Sequence, residues 1–205
     1  MMHLSVIFLA SLLITASLAF EHKCTLSEQV LQDFDIEKVK LNRTKWYTGL
    51  QTNDAAASDI DCESLRNFTE TDYGFTATTR SYMTQSNQYV DWVSHFTRQR
   101  PGVYQESGEK DEPVMTTLYT REKNGNFNRA ANKLVHKVIL DNDFLFVTDH
   151  RNYIMTIFCS NDAQWVIWIF FPKPNPELSN IAAAYNKMHR MGISAGFHAS
   201  QCGAA

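Results

Sequence analysis

The residues best suited to form a defined covalent structure are four cysteines, Cys24, Cys62, Cys159 and Cys202. They follow an N-terminal segment with the features of an export signal, and an even number of cysteines in an exported chain predicts two disulfide bonds. Four cysteines allow three connectivities, and spacing alone leaves all three open. A zinc site is not indicated, because no two cysteines have the short spacing that zinc ligands share.

The cysteines and the lack of catalytic motifs argue against an enzyme. A catalytic thiol requires an unpaired cysteine of lowered pKa, and all four cysteines are assigned to disulfides. The sequence also contains neither a Ser/His/Asp signature nor a glycine-rich phosphate loop. We therefore predict a protein without catalytic function.

The N-terminal segment is predicted to be a secretory signal. Residues 1–19 contain no Lys, Arg, Asp or Glu, Leu4–Leu18 is almost entirely apolar, and the segment ends in Ser17-Leu18-Ala19. Cleavage after Ala19 would leave residues 20–205 as a single secreted domain. No later segment reaches the roughly 20 apolar residues that a membrane span needs, so none is expected.

Composition narrows the class of partner. The formal net charge is −3 and no block of Lys or Arg occurs, which argues against nucleic acid as a partner because nucleic-acid binding needs a concentrated basic face. Two sequons, at Asn42 and Asn67, are candidate glycosylation sites, as expected for a secreted chain.

Most of the chain is predicted to form antiparallel strands. Segments rich in Thr, Tyr, Phe and Val alternate with turn sequences at a regular pitch, which is typical of a meander. A helix-like lead-in, Leu26–Asp35, precedes the first strand, and Trp46 on that strand is placed to fill one end of a barrel. Residues 102–131 fit either an irregular strand or a long loop. The strand candidates are Lys45–Thr52, Glu63–Glu70, Phe75–Thr84, Gln88–Thr97, Val114–Glu122, Leu134–Leu140, Phe144–Thr148, Ile154–Cys159 and Trp165–Phe171.

One helix is predicted after the last strand. Asn175 is a suitable N-cap, Pro176 suits the first helical position, and Gly192 follows a basic last turn. The predicted apolar stripe should pack on the outside of the sheet, because Trp165–Phe171 is apolar on both faces. The stripe consists of Leu178, Ile181, Ala182, Tyr185 and Met188.

These elements together resemble the lipocalin family. The family motif Gly-x-Trp-Tyr on the first strand is matched by Thr44-Lys45-Trp46-Tyr47, and Thr-Asp-Tyr-x-x-Tyr is matched by Thr148-Asp149-His150-Arg151-Asn152-Tyr153. The stretch Trp168–Leu178 resembles the corresponding region of apolipoprotein D and insect bilin-binding proteins. Pro172 occupies the position of the family's arginine, which lies over the conserved tryptophan, and Lys173 is the nearest basic residue.

The resemblance implies an all-β fold, an eight-stranded antiparallel up-and-down barrel with a C-terminal α-helix packed outside. From the apolipoprotein D and blood-feeding-arthropod members it also implies the pairing of Cys24 with Cys159 and of Cys62 with Cys202. A barrel of this size encloses a cavity for one small hydrophobic or amphipathic ligand. The candidate lining residues are Tyr47, Phe75, Tyr82, Tyr89, Trp92, Phe96, Tyr119, Phe144, Phe146 and Tyr153.

No cofactor is assigned. Some insect salivary lipocalins bind haem through a strand Tyr-His pair, but the matching pair here is Tyr82-Met83, and His95 and His136 are interpreted as ordinary core or surface histidines. The aromatic content of 12% leaves a tetrapyrrole as one ligand class to test. The resemblance also implies an alternative function, a secreted antihaemostatic effector that contacts a protein through its open-end loops, for which Asn53–Ser58 is the candidate loop.

Overall fold

A computed structural model describes residues 24, 32–42, 45–54, 60–84, 87–106, 143–160 and 163–202. Two short or medium helices and nine antiparallel strands are found in this part of the chain. The helices are α1 Ile36–Asn42 and α2 Leu178–Arg190, and the strands are β1 Lys45–Gln51, β2 Ile60–Thr71, β3 Gly74–Met83, β4 Gln88–Arg100, β5 Val103–Glu106, β6 Asp143–Thr148, β7 Ile154–Cys159, β8 Trp165–Phe171 and β9 His198–Ala199.

The first eight strands form a closed barrel in which each strand pairs with its neighbours in the chain. The barrel closes because β1 pairs with β2 through Trp46 opposite Leu65, and also with β8 through Tyr47 opposite Phe171. The predicted eight-stranded antiparallel barrel is therefore confirmed. The predicted strands Val114–Glu122 and Leu134–Leu140 lie outside the described residues, and β5 falls in the stretch where the sequence left strand and loop open.

The side chains of β1 to β8 alternate between the inside and the outside of the barrel. Trp46, Phe146 and Phe170 belong to an interior cluster, while Val147 and Ile169, which point to the other face, belong to a separate outer cluster. β7 and β8 are apolar on both faces because both faces are covered, one by the barrel interior and one by α2. The prediction that a helix covers Trp165–Phe171 is confirmed.

The contact face of α2 differs from the predicted stripe. Ala184 and Met188 are buried against the outer cluster and Ile181 is half-buried, whereas Leu178 is 83% exposed and Tyr185 is 43% exposed. The stripe prediction is thus right for Ile181 and Met188 and wrong for Leu178, Ala182 and Tyr185. The small Ala184 side chain lets the helix approach the sheet closely, which turns this side of the helix inward.

The start of α2 also differs from the prediction. The helix begins at Leu178 with Glu177 at the N-cap, so Asn175 is not the cap and Pro176 is not the first helical residue. Pro176 instead packs over β1, where its Cγ lies 3.1 Å from the position that a Cβ on Gly49 would occupy. Glu177 accepts a hydrogen bond from Lys173 Nζ at 2.7 Å on the exposed surface.

The C-terminal tail is attached to the barrel beside β1. β9 pairs with the upper part of β1, the N–H of Ser200 donates to Gly49 O at 3.0 Å, and the N–H of Gln201 donates to Asp61 O at 2.8 Å. A disulfide between Cys62 and Cys202 fixes the tail to β2, with a Cα–Cα distance of 4.7 Å. The tail therefore bridges β1 and β2 where the two strands stop pairing with each other.

The second disulfide links the N-terminal lead-in to the barrel. Cys24 and Cys159 are 135 residues apart in sequence, and their Cα atoms are 5.6 Å apart. The structure thus contains the two pairs that the family resemblance implies. Each disulfide closes a long loop, the case in which a cross-link restricts the unfolded chain most in the chain-entropy model.

Gly49 is required by the packing of β1 against β8. An added Cβ would lie 2.5 Å from Cδ2 of Phe171, whose ring is fully buried. We expect Gly49→Ala to lower the free energy of unfolding by about 1–3 kcal/mol, because the buried ring has to shift. Gly196→Ala is the matched control, since no heavy atom lies within 4 Å of its added Cβ. Chemical denaturation of both variants checks this, and equal effects would contradict it.

Asp149 stabilises the turn between β6 and β7. Its Oδ1 accepts hydrogen bonds from the N–H groups of Arg151 at 3.0 Å and Asn152 at 2.7 Å. Burial alone would raise the pKa of Asp149, but these N–H groups, that of Asn152 first, bring the pKa below its usual value. The resulting stability is present above the pKa of the unfolded chain and is lost as the pH falls through the lower folded pKa.

We expect Asp149→Ala to lower the free energy of unfolding by about 1 kcal/mol at pH 7, a value reduced for the exposure of the carboxylate. The difference from the wild type should shrink and disappear as the pH falls through the lowered folded pKa of Asp149, where the carboxylate becomes protonated. Urea denaturation at several pH values measures this. Asp72→Ala, in the exposed β2–β3 turn, is the control, and a loss that is independent of pH would refute the assigned role.

Candidate functional site

One end of the barrel, called the plugged end below, is filled by the lead-in segment that precedes β1. Phe34 is only 5% exposed and inserts among interior rings, with centroid distances of 5.1 Å to Phe75 and 5.1 Å to Phe146. Ile36 and Val39 of α1 join the same interior cluster. Phe34 thus enters the barrel from an extended segment, whereas the sequence predicted a helix-like lead-in that ends at Asp35.

A layer of aromatic side chains lies directly on this plug. Phe75 stacks on Phe96 with a centroid distance of 4.9 Å and meets Tyr104 and Phe146 edge-on at 5.0 and 5.1 Å. These offset and edge-to-face arrangements are favourable and leave little space between the rings. We call this layer the aromatic floor; it consists of Phe34, Phe68, Phe75, Phe96, Tyr104 and Phe146.

Trp46 stands beside the floor and is fully buried. Lys173, the nearest basic residue in the sequence to the family's arginine position, is exposed and bonded to Glu177, so it does not cover the indole. Among the described residues, no hydrogen-bond partner reaches Trp46 Nε1. Trp46 therefore contributes packing to the plugged end, and the cation–π lid of the family is not formed by Lys173.

His150 connects the plug to the β6–β7 turn. It adopts a left-handed backbone conformation with φ 62°, and its Nε2 accepts a hydrogen bond from the N–H of Asp35 at 3.3 Å. Burial lowers the pKa of His150, which keeps the ring neutral and able to accept. The histidine that replaces a family tyrosine thus holds the segment carrying Phe34.

Outside the plug, an acidic cleft of about 660 Å³ runs between the lead-in and the β2–β3 turn. Its carboxylates include Asp33, which forms a bidentate pair with Arg98 through distances of 3.0 and 2.6 Å. Asp35 pairs with Lys38 at 2.9 Å. These two ion pairs neutralise part of the negative charge of the cleft, and their side chains are exposed to solvent.

Beyond the floor, toward the opposite end of the barrel, the interior faces of β2 and β3 carry buried polar side chains. On β3 the interior positions after Phe75 are Ala77, Thr79 and Ser81, which are all buried. Ser81 lies roughly 20 Å along the strand from Phe75, at about 3.3 Å per residue. We call the buried polar side chains of this region the polar layer; it consists of Thr48, Glu63, Thr79, Ser81, Ser94 and Thr156.

Glu63 is the charged member of the polar layer. It lies opposite Ser81 in the β2–β3 pairing, on the same face of β2 as Leu65, and its side chain is 3% exposed. Ser81 Oγ donates a hydrogen bond to Glu63 Oε2 at 2.7 Å. Burial raises the pKa of Glu63 to about 8; the nearby carboxylates of Glu106 and Asp54 add to this, and the Ser81 bond opposes it.

An aromatic side chain joins this region from β8. Trp168 is half-buried on the interior face, and its indole N–H donates to Asp54 Oδ2 at 3.0 Å. Asp54 follows β1 at the end of the barrel opposite the plug and also accepts from Thr52 Oγ1 at 3.1 Å. The negative charge of Asp54 also contributes, as the smallest cause, to the raised pKa of Glu63.

The predicted lining residues separate into groups. Phe75, Phe96, Phe144 and Phe146 belong to the interior cluster. Tyr47, Tyr82 and Tyr89 alternate with interior positions and face outward; Tyr82 and Tyr89 contact each other at 5.1 Å, and Tyr89 is 46% exposed. Tyr153 belongs to the outer cluster, where burial raises its pKa to about 12.

Two other predicted lining residues have no described side-chain position. Trp92 pairs with Thr79 in the β3–β4 register, but its side chain is outside the described atoms. Tyr119 lies outside the described residues, as do residues 1–19 and most of the loop Asn53–Ser58. Asn67 is exposed on β2 with Nδ2 donating to Thr78 Oγ1 at 3.3 Å, while the side chain of Asn42 is not described.

Four interior residues were not predicted as parts of the site. Phe34 was assigned to a helix, and Trp168 to a helix-covered strand without regard to which face it occupied. Tyr104 lay in the stretch of uncertain register. The feature of the sequence that could have placed Glu63 inside the barrel is its spacing of two positions from the apolar Leu65. A charged residue in a polar stretch otherwise indicates an exposed position.

Within the described ranges, no helix is long and apolar enough to cross a membrane, and no group of three or more His, Cys, Asp or Glu side chains is arranged to hold a metal ion.

No protein-family model and no curated protein sequence matches the chain. Among solved structures, a major allergen of cockroaches, Per a 4, matches with a TM-score of 0.58 and 12% identity, covering 89% of this chain and 99% of the allergen. Apocrustacyanin C2 matches with a TM-score of 0.52 and 10% identity, covering 83% of this chain and 88% of that protein. At these identities the likeness shows a shared fold.

Glu63 should make the stability of the barrel depend on pH. Its folded pKa of about 8 lies above the usual 4.5, so the folded state binds more protons than the unfolded state between these values. Stability therefore falls as the pH rises from about 4.5 to 8. We expect Glu63→Gln, which keeps the size and the hydrogen bond to Ser81, to be more stable than the wild type by on the order of 3 kcal/mol at pH 8.

The two proteins should be almost equally stable at pH 4.5. Denaturation with urea at both pH values measures the difference, and Glu70→Gln, an exposed glutamate on the same strand, is the control. A wild-type protein that is as stable as the variant at pH 8 would show that Glu63 is not buried in this way.

Proposed function

We propose that this chain, which has the lipocalin fold, is a secreted protein that binds and carries or sequesters a small hydrophobic or amphipathic molecule in its barrel. The observation that carries the proposal is the row of small interior side chains above the aromatic floor, Ala77, Thr79 and Ser81 on β3. Such side chains do not reach the barrel axis, and an eight-stranded barrel has room inside for one small ligand.

The aromatic floor and Trp168 would supply the apolar contacts of the ligand. Phe75, Phe96, Phe144 and Phe146 are the predicted lining residues that this proposal keeps, and Trp168 is added to them. Tyr47, Tyr82, Tyr89 and Tyr153 are left out because they face the exterior or the outer cluster. Trp92 and Tyr119 stay predictions from the sequence.

Secretion is part of the proposal. The apolar segment 1–19 supports it, as do two disulfides, which persist in oxidising compartments. Asn67 is exposed and so accessible for glycosylation, and Asn42 is proposed on its sequon alone. We propose a binding protein and not an enzyme. The alternative, an effector that contacts a protein through the loop Asn53–Ser58, rests on the sequence resemblance.

Binding inside the barrel is tested with Nile red, a neutral probe whose fluorescence rises in apolar surroundings. Thr79 faces the interior and its neighbour Thr78 faces outward, so the same substitution at the two positions gives a matched pair. We expect Thr79→Phe to weaken probe binding by about tenfold or more, because the ring occupies ligand space, and Thr78→Phe to leave binding unchanged.

Circular dichroism confirms that both variants are folded. A wild-type protein that binds no probe, or two variants with equal effects, would refute interior binding. Native mass spectrometry and a visible absorption spectrum of protein from its natural source then identify the ligand class. A coloured complex would indicate a tetrapyrrole or a carotenoid, and a colourless added mass would indicate a lipid or an amine.

A further inference from the structure

We infer that His150 is an acid-sensitive latch: when its imidazole ring takes up a proton, the lead-in segment that carries Phe34 detaches and the plugged end of the barrel opens. This inference concerns a regulatory device built into the fold. It goes beyond the proposed function and does not depend on it, because the latch holds the plug whether or not the interior binds a ligand.

The latch is one hydrogen bond between two segments that are far apart in the chain. The N–H of Asp35 donates to Nε2 of His150 at 3.3 Å, across 115 residues. The neighbouring Phe34 is buried between the rings of Phe75 and Phe146, with centroid distances of 5.1 Å to each. The hydrogen bond thus fixes the main chain directly beside the side chain that fills the plugged end.

The turn between β6 and β7 holds the histidine in a fixed position. Thr148 Oγ1 accepts a hydrogen bond from the N–H of His150 at 2.8 Å and donates one to Tyr153 O at 2.6 Å. Asp149 Oδ1 accepts hydrogen bonds from three further N–H groups of the same turn. Because these contacts fix the turn, loss of the latch should move the lead-in segment and leave the histidine in place.

Protonation removes the acceptor of the latch. The neutral ring has one nitrogen that accepts a hydrogen bond, whereas both ring nitrogens carry a hydrogen once the ring is charged. The N–H of Asp35 and the new N–H at Nε2 of His150 would then face each other at hydrogen-bond distance. The main-chain N–H would lose its partner in a half-buried position, which is unfavourable until the segment moves away.

The carboxylates near the ring already hold other groups. The charged side chains that act on His150 are Asp35 and Lys38 from the lead-in and α1, and Asp149 from its own turn. The carboxylate of Asp35 accepts from the N–H of Lys38 at 3.0 Å and pairs with Nζ of that lysine at 2.9 Å, at the start of α1. The carboxylate of Asp149 holds the turn. A charged ring therefore gains a carboxylate partner only when one of these arrangements is given up.

The direction of the pH response follows from the surroundings of the ring. Burial, the largest influence, lowers the pKa of His150 below its usual 6.5; Lys38 acts in the same direction, and Asp35 and Asp149 act against it. The closed plug therefore binds fewer protons at this site than the opened plug. The stability that the latch contributes is present above pH 6.5 and is lost as the pH falls through the lowered pKa of His150.

The rest of the barrel is expected to respond in the opposite direction. The pKa of Glu63, raised to about 8, makes the whole barrel more stable at pH 5.5 than at pH 7.5. Acid should therefore loosen the plug while the paired strands become no less stable. This contrast distinguishes a local latch from general unfolding in acid.

Amide hydrogen exchange, measured by NMR at pH 7.5 and pH 5.5 and corrected for the intrinsic exchange rate at each pH, tests the inference. The reporter amides are those of Asp35, Lys38 and Val39, which donate hydrogen bonds to His150 or to Asp35. We expect their protection in the wild type to fall by about threefold or more at pH 5.5. Amides in the paired strands β7 and β8 should keep their protection or gain some.

Two substitutions at position 150 separate the titration of the ring from its packing. A glutamine amide oxygen can accept the hydrogen bond in place of Nε2 but does not titrate, so His150→Gln should keep the protection at both pH values. His150→Ala removes the acceptor, and protection of the reporter amides should be low at both pH values. His189→Gln, at an exposed histidine of α2, is the control and should behave as the wild type.

Equal protection of the three reporter amides at both pH values in the wild type would overturn the inference. A loss of protection in acid that persists in His150→Gln would overturn it as well, since the response would then come from another group. The wild-type comparison needs no variant to fold. Interior binding of Nile red at pH 7.5 is measured separately, so the latch and the proposed function fail independently.

Discussion

The closure of the barrel at β1 is the constraint on which the rest of the structure depends. β1 pairs with β2 near the plugged end, with β8 along its other edge, and with β9 near the opposite end. This arrangement requires an irregular register between Thr48 and Leu50 and a glycine at position 49, because the buried ring of Phe171 occupies the space of a Cβ. The Cys62–Cys202 disulfide keeps the tail in the gap that β1 and β2 leave.

Closure has opposite consequences for the two ends of the interior. At the plugged end, converging strands allow rings to fill the volume, and Phe34 completes the packing from outside the barrel. Beyond the floor, the inner face of β3 carries the short side chains of Ala77, Thr79 and Ser81, so packing among them does not fill the axis. Closure also removes Glu63 from water, and among the described residues its carboxyl group accepts one hydrogen bond, from Ser81 on the neighbouring strand β3. The chemistry of the interior is therefore concentrated in the polar layer.

Much of this organisation follows from periodicity in the sequence, and the failures have physical reasons. Ile154–Cys159 and Trp165–Phe171 were predicted with their observed bounds because both faces are apolar. Selecting lining residues for their aromatic character gave the wrong face for Tyr47 and Tyr82. Trp46 and Phe75 point into the barrel, and side chains alternate along a strand, so both tyrosines point outward. The start of α2 was misplaced because Pro176 packs on β1, a tertiary contact that no local rule contains. Glu63 is buried by closure of the barrel and not by its neighbours in sequence.

The position of Glu63 is hard to explain by stability alone. A buried carboxyl group with one hydrogen bond is less favourable than an apolar side chain of similar volume, and two further carboxylates make its ionisation still less favourable. Thr48 and Cys202 contact the main chain of Glu63 at its carbonyl, and those contacts do not depend on the side chain. The contacts of β1 and the C-terminal tail therefore hold the backbone of Glu63, whereas its carboxyl group is held by Ser81 on β3, so barrel closure and not its own side-chain contacts explains why the carboxyl group is buried.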